Sequence, residues 1–239
     1  MALRSAPEFD LPPSPTGEYR CQVNLDLYTT AAATDLATQA AAGRHLRPLA
    51  ATATALQVQL CEDDYIAWLP RPQCSHLGPA PEPYQPTVYQ RPEIVARLPM
   101  VLDFVRAAMA VPHHYRWGGT VAPHYDCSGL VQAAFAAAGL WLPRDSYQQA
   151  AFVQAIAHRD LEPGDLLFFQ ETTRVNHVAL YLGNGQYIHS SGQEKGRNGI
   201  GIDLLQPDGS AVGRRYYPYF QAAGRVMQSY RSRGHTQEA

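Results

Sequence analysis

The first third of the chain alternates apolar and polar positions over short stretches, and the remainder mixes helical spacing with further short apolar runs. A proline-rich segment lies between them. Residues 19–28, 45–50 and 56–60 read as strands, and residues 63–69 as a turn and one more strand. So small a set of strands closes most simply into a little barrel. Between Ser75 and Pro92 five prolines (Pro79, Pro81, Pro83, Pro86, Pro92) crowd into a stretch without helical or strand periodicity, the mark of a linker. Beyond it, residues 93–110 are apolar at helical spacing, with Pro99 an expected break or restart. Residues 130–138 predict a second helix, capped by Asp126 and stopped by Gly139. The chain thus divides into an extended or disordered N-terminus (1–17), a barrel (18–74), a linker (75–92), a larger domain (93–230) and a tail expected to be disordered (231–239).

In the larger domain, the turn Pro163-Gly164-Asp165 precedes three apolar runs, 166–169, 177–182 and 187–190. Gly183-Asn184-Gly185-Gln186 joins the last two as a hairpin, each strand of which carries one histidine, His177 or His189. Register decides whether these two cooperate, because side chains alternate faces along a strand. A two-residue Asn184-Gly185 loop sets His189 opposite Leu180, facing away from His177. A three-residue loop with Gly185 left-handed sets it opposite Ala179, and both histidines then share a face as diagonal neighbours about 7–8 Å apart at the backbone. The second register suits a base and its orienting partner and is the one expected.

Cys127 stands at the start of the second predicted helix, flanked by Asp126 and Ser128. Unpaired N–H groups and the positive end of the helix dipole favour thiolate there, lowering a cysteine pKa from about 8.5 to roughly 3.5–7.5, and the same groups can hold an oxyanion. A nucleophilic cysteine needs a base close in space, and the histidine hairpin is the region that offers one.

Composition narrows the field. The 239 residues carry a net charge of −2 with no long basic run, so nothing points to nucleic acid or an anionic membrane as a partner. The start of the chain is proline-rich and polar, unlike a secretory signal or a membrane span, so a cytoplasmic protein is expected. Four cysteines are too few for a disulfide scaffold. His113, His114 and His124 lack the spacing of zinc motifs and read as exposed loop histidines, and no metal or organic cofactor is expected. Cys61, Cys74 and His76 read as isolated barrel and linker residues, and Tyr216, Tyr217, Tyr219 and Phe220 as aromatics of a last strand.

The motifs Tyr115-Arg116-Trp117-Gly118-Gly119, Asp126-Cys127-Ser128-Gly129, Pro143-Arg144-Asp145-Ser146, Pro163-Gly164-Asp165-Leu166 and 177–182, in this order, resemble the NlpC family of bacterial cell-wall cysteine peptidases. The resemblance covers roughly residues 93–230 and implies an α+β, papain-like domain; the part before it resembles bacterial Src-homology-3-like domains. It further implies Cys127 as nucleophile, His177 as base, His189 as the group orienting His177, and Tyr115 as a hydroxyl beside the cysteine. The implied substrate is a peptidoglycan-derived peptide, L-Ala-γ-D-Glu-diamino acid with a free amine, cleaved at the γ-D-glutamyl bond during recycling, with no obligate protein partner. Arg144 is the candidate grip for the D-glutamate carboxylate, and Asp126 or Asp145 the partner of the L-alanyl ammonium. Ser128, Ser146 and Tyr65 complete the expected pocket. Rival readings are an exported lytic endopeptidase, a wall-binding protein with an inert larger domain, and an acyltransferase using the same acyl-enzyme.

Overall fold

The structure, a computed structural model, describes residues 11–232. The beginning of the expected extended N-terminus (1–10) and most of the expected disordered tail (233–239) lie outside them. Two compact units are present: residues 11–86 with 231–232, and Thr87–Tyr230. No helix among the described residues is long and apolar enough to cross a membrane.

The smaller unit is all-β. Its strands are β1 (Tyr19–Cys21), β2 (Leu25–Tyr28), β3 (Leu36–Ala40), β4 (His45–Ala51), β5 (Ala55–Leu60), β6 (Ile66–Pro70) and β7 (Leu77–Pro79), hydrogen-bonded in the order β3-β2-β6-β5-β4-β1-β7. Every strand contributes to one core, in which Leu25, Leu27, Leu46, Val58, Leu60 and Leu69 are buried. Period-2 burial in β2 and β5 is the pattern the sequence displayed. Two strands escaped that reading. β3 is short and made mostly of alanine, threonine and glutamine, and β7 lies inside the stretch read as linker. Leu77 of β7 pairs with Cys21, so the barrel ends later than residue 74. Buried charges are paired, as burial demands: Glu18 meets His45 and Arg47, and Arg44 meets Glu62 and Asp63.

The larger unit begins with α1 (Arg91–Ala110), capped at Gln90 by a reciprocal side-chain and backbone pair with Glu93. Pro99 does not break it. The carbonyl that loses its partner there belongs to Val95, on the exposed side of the helix, where water can replace the bond. A two-stranded ribbon, β8 (Thr120–Val121) and β9 (His124–Tyr125), leads into α2 (Cys127–Ala137), followed by α3 (Ser146–Phe152). Gly139 takes φ 78° and its neighbour Leu140 donates to the Phe135 carbonyl, closing α2 as expected.

The sheet comprises β10 (Gln154–Ile156), β11 (Leu166–Phe169), β12 (His177–Gly183), β13 (Gln186–Ser191), β14 (Gly199–Leu204) and β15 (Phe220–Arg225), in the order β10-β15-β11-β12-β13-β14. All of its pairings are antiparallel. One face packs Leu166, Phe168, Val178, Leu180 and Ile188 against α1 and α2. The other packs Leu167, Phe169, Ala179 and Tyr187 against α4 (Ala211–Tyr216). Tyr216 therefore ends a helix rather than opening the last strand, which starts only at Phe220.

The β12–β13 hairpin reaches the expected register by another route. Leu180 faces Ile188 and Tyr181 faces Tyr187, which continues to Ala179 opposite His189. The loop is nevertheless the two-residue Asn184-Gly185, both left-handed at φ 52° and 75°. A bulge between Tyr181 and Gly183 takes up the extra residue.

Candidate active site

Asp126 organises the start of α2. Its carboxylate accepts from Gly129 N at 2.6 Å, capping the helix, and from Gly118 N at 2.9 Å. The glycines are obligatory here. A Cβ on Gly129 would lie 2.0 Å from the Gly119 carbonyl oxygen, and one on Gly119 would lie 2.5 Å from that of His124. Behind the cap, Arg144 is only 1% exposed and donates to Asp126 Oδ2 at 2.6 Å and to Ser128 Oγ at 2.9 Å. The assignment of Arg144 to substrate is thereby corrected: its guanidinium is held inside the protein, bracing the helix cap. It is not a surface group paired with Asp145 either. Asp126 and Ser128 belong to the same internal cluster, so neither is offered to a substrate ammonium or carboxylate. Asp145 caps α3 by a reciprocal pair with Gln148, its carboxyl pushed up by burial despite Arg144. Ser146 is buried as the first residue of α3. Tyr65, in the smaller unit, is half-buried against the barrel core.

Cys127 occupies the first turn of α2, 7% exposed, with its thiol at the backbone N–H groups of Ser128 and Val178, the latter adjacent to His177. Burial pushes the thiol up to about 12, and the Asp126 carboxylate adds to the rise; those N–H groups and Arg144 oppose it without prevailing. The expectation of a lowered pKa is corrected, because at this position desolvation outweighs the helix terminus. The resting group is a thiol, and it needs a base at the moment of attack.

The base is built as a chain of hydrogen bonds. His177 Nε2 is 2.7 Å from His189 Nδ1, and His189 Nε2 is 2.8 Å from Asp203 Oδ2. Asp203 sits on β14, the strand beside His189, and was not singled out in the sequence. It also accepts from Ser210 Oγ and pairs with Arg197 at 2.7 Å. Although burial works to raise the Asp203 carboxyl, its bonds to His189 and Ser210 hold it below the usual range, so it stays ionised. An ionised Asp203 accepts a hydrogen bond from His189 Nε2–H, which leaves His189 Nδ1 bare to accept from His177 Nε2–H. His177 Nδ1 is then the unprotonated nitrogen, the atom a thiol proton needs. Burial, then His189, then Lys195 hold His177 well below the ordinary histidine range.

Two tyrosines flank this chain. Tyr216 stacks on the His177 ring at 4.3 Å between centroids and shares a 2.9 Å hydrogen bond with Ser191 Oγ. Tyr115 lines a pocket with His177, and burial followed by the charges of Cys127 and Asp126 keeps its hydroxyl protonated and so a donor. Sequence reading grouped Cys127, His177, His189 and Tyr115. Asp203 and Tyr216 were missed because β14 and α4 were not recognised as elements, although an aspartate in a strand next to a histidine strand was a usable signal.

The NlpC/P60 family matches residues 112–216, and the bacterial dipeptidyl-peptidase Sh3 domain matches residues 27–73. Over 112 residues, 47% of this chain and 21% of the relative, the chain is 38% identical to the probable endopeptidase p60 of Listeria monocytogenes. Over 78 residues, 32% of this chain and 42% of the relative, it is 40% identical to the murein DD-endopeptidase MepS/murein LD-carboxypeptidase of Escherichia coli. The matched stretch thus spans less than half the length of these curated relatives. Among solved structures, an NlpC/P60 family protein from Bacillus cereus is 22% identical with a TM-score of 0.48, covering 88% of this chain and 63% of that one.

Proposed function

We propose, from the match of residues 112–216 to the NlpC/P60 family, that the protein is a cysteine peptidase acting on peptidoglycan stem peptides. The bond cleaved is the γ-D-glutamyl amide to a diamino acid, in fragments that carry a free L-alanyl amine. The observation that carries the reading is the hydrogen-bond chain from Asp203 through His189 to His177, beside a cysteine at a helix start.

His177 Nδ1 takes the Cys127 proton as sulfur attacks the scissile carbonyl. The N–H groups at the start of α2, with the Tyr115 hydroxyl, hold the resulting oxyanion. The imidazolium, stabilised through His189 by Asp203, then gives its proton to the departing amine. Water, activated by the same nitrogen, releases the acyl group from sulfur. With Asp126 and Arg144 engaged in bracing the helix, Asp145 is the remaining candidate for the substrate ammonium, although its carboxylate also caps α3. Selectivity for a free amine is what a role in recycling turnover fragments requires.

Mass spectrometry of products from defined tri- and tetrapeptides tests the proposal. Cleavage should fall between γ-D-Glu and the diamino acid, and N-acetylation of L-alanine should lower kcat/KM by about two orders of magnitude. Cleavage at a D,D or L,D bond, or equal rates with free and acetylated peptides, would contradict it.

A further inference from the structure

Beside His177 the larger unit opens a pocket of about 260 Å³, lined among others by Tyr115, Trp117, Glu171, Glu194, Lys195 and Tyr216. Lys195 lies 2.5 Å from the Glu171 carboxylate and 5.9 Å from the ring centres of Tyr216 and Tyr219, so lysine and glutamate together are neutral. Glu194 is different. Among the described residues its carboxylate accepts no hydrogen bond, and it folds over Gly192, where a Cβ would come within 2.2 Å of Oε2. Its charge reaches the hydroxyls of both Tyr115 and Tyr216. Among the charged residues that line the pocket, Glu194 is thus the one left over once Lys195 and Glu171 pair; Arg215, outside the lining, donates to its backbone carbonyl at 3.0 Å and not to the carboxylate. A carboxylate next to aromatic faces is the combination that holds an alkylammonium.

Chemistry fixes which part of a substrate belongs there. His177 must pass its proton to the departing amine, so the residue that leaves is the one beside His177. We infer that this pocket is the leaving-group subsite and that Glu194 selects a departing residue with a side-chain ammonium. The inference rests on the peptidase reading above. Gly192 takes part by its missing side chain, since any Cβ there displaces the Glu194 carboxylate.

The test uses γ-D-glutamyl tripeptides with a free L-alanyl amine that differ only in the leaving residue, L-lysine or L-norleucine. The wild-type protein should favour lysine by about tenfold in kcat/KM, an effect of the size expected for a charge-assisted pair in a partly exposed pocket. Glu194→Gln and Gly192→Ala should each bring that preference below about threefold. Equal wild-type rates for the two peptides would overturn the subsite while leaving the peptidase reading intact. If neither peptide is cut, the peptidase reading falls, and binding decides the subsite alone. Trp117, 73% exposed at the pocket, reports it by fluorescence. A saturable change with L-lysine amide, absent with L-norleucine amide and lost in Glu194→Gln, supports the inference; no lysine-specific change overturns it.

Discussion

Asp203 decides which nitrogen of His177 is bare, and this gives it a measurable influence on a thiol it does not touch. Asp203→Asn places an amide that can donate to His189 as well as accept from it, so both histidines lose their fixed tautomer. By analogy with carboxylates that orient a catalytic histidine directly, kcat should fall by about two to three orders of magnitude. Substrate KM should change little, a split that distinguishes loss of positioning from loss of fold. The wild-type pH profile carries a second signature. A histidine held below the ordinary range resists protonation, so activity should persist at pH values below 6.5 and decline only as His177 takes up a proton. A profile already half-lost at pH 6.5 would contradict that assignment. Gly129 is the other residue whose role is geometric. With backbone 2.0 Å from any added Cβ, Gly129→Ala should lower the thermal midpoint by several degrees and remove activity, because α2 must move off Gly119 and carry Cys127 with it.

At the scale of elements, α1 continues through Pro99 where the sequence reading placed a break. Pro99→Ala should therefore restore a helix bond and stabilise the protein by about 1–3 kcal/mol in denaturant titration. Destabilisation would mean that the proline is needed for packing. The start and end of α2 were legible because they depend on local chemistry: Asp126 as cap, Gly139 as stop. The histidine register was legible because only one pairing puts both rings on one face, although the residue count was absorbed by a bulge in β12 instead of a longer loop. β14 and α4 were not legible. β14 reads Gly199-Ile200-Gly201-Ile202-Asp203-Leu204, and its aspartate points into the site rather than out to water. Gly201 in turn leaves room for the Arg197 guanidinium, which pairs with Asp203. Such a strand is defined by what its neighbours need, which no local pattern announces.

At the scale of the whole molecule each unit has a core of its own: the strands of the smaller unit share one, and the larger unit buries both faces of its sheet. The proline-rich stretch reads as a place where periodicity stops, yet β7 shows that a strand of three residues survives within it by pairing with β1. The reaction is assigned to residues of the larger unit alone, from Tyr115 to Asp203, and a buried neutral thiol and a buried neutral imidazole are its starting state. The most direct test is acid-quenched mass spectrometry of the protein mixed with L-Ala-γ-D-Glu-L-Lys. An L-Ala-γ-D-Glu acyl group should be found on the peptide containing Cys127, at a level that rises when His177 is replaced only if deacylation slows more than attack, and that is absent in Cys127→Ala. Turnover without any such adduct, or an adduct that persists in Cys127→Ala, would contradict the account.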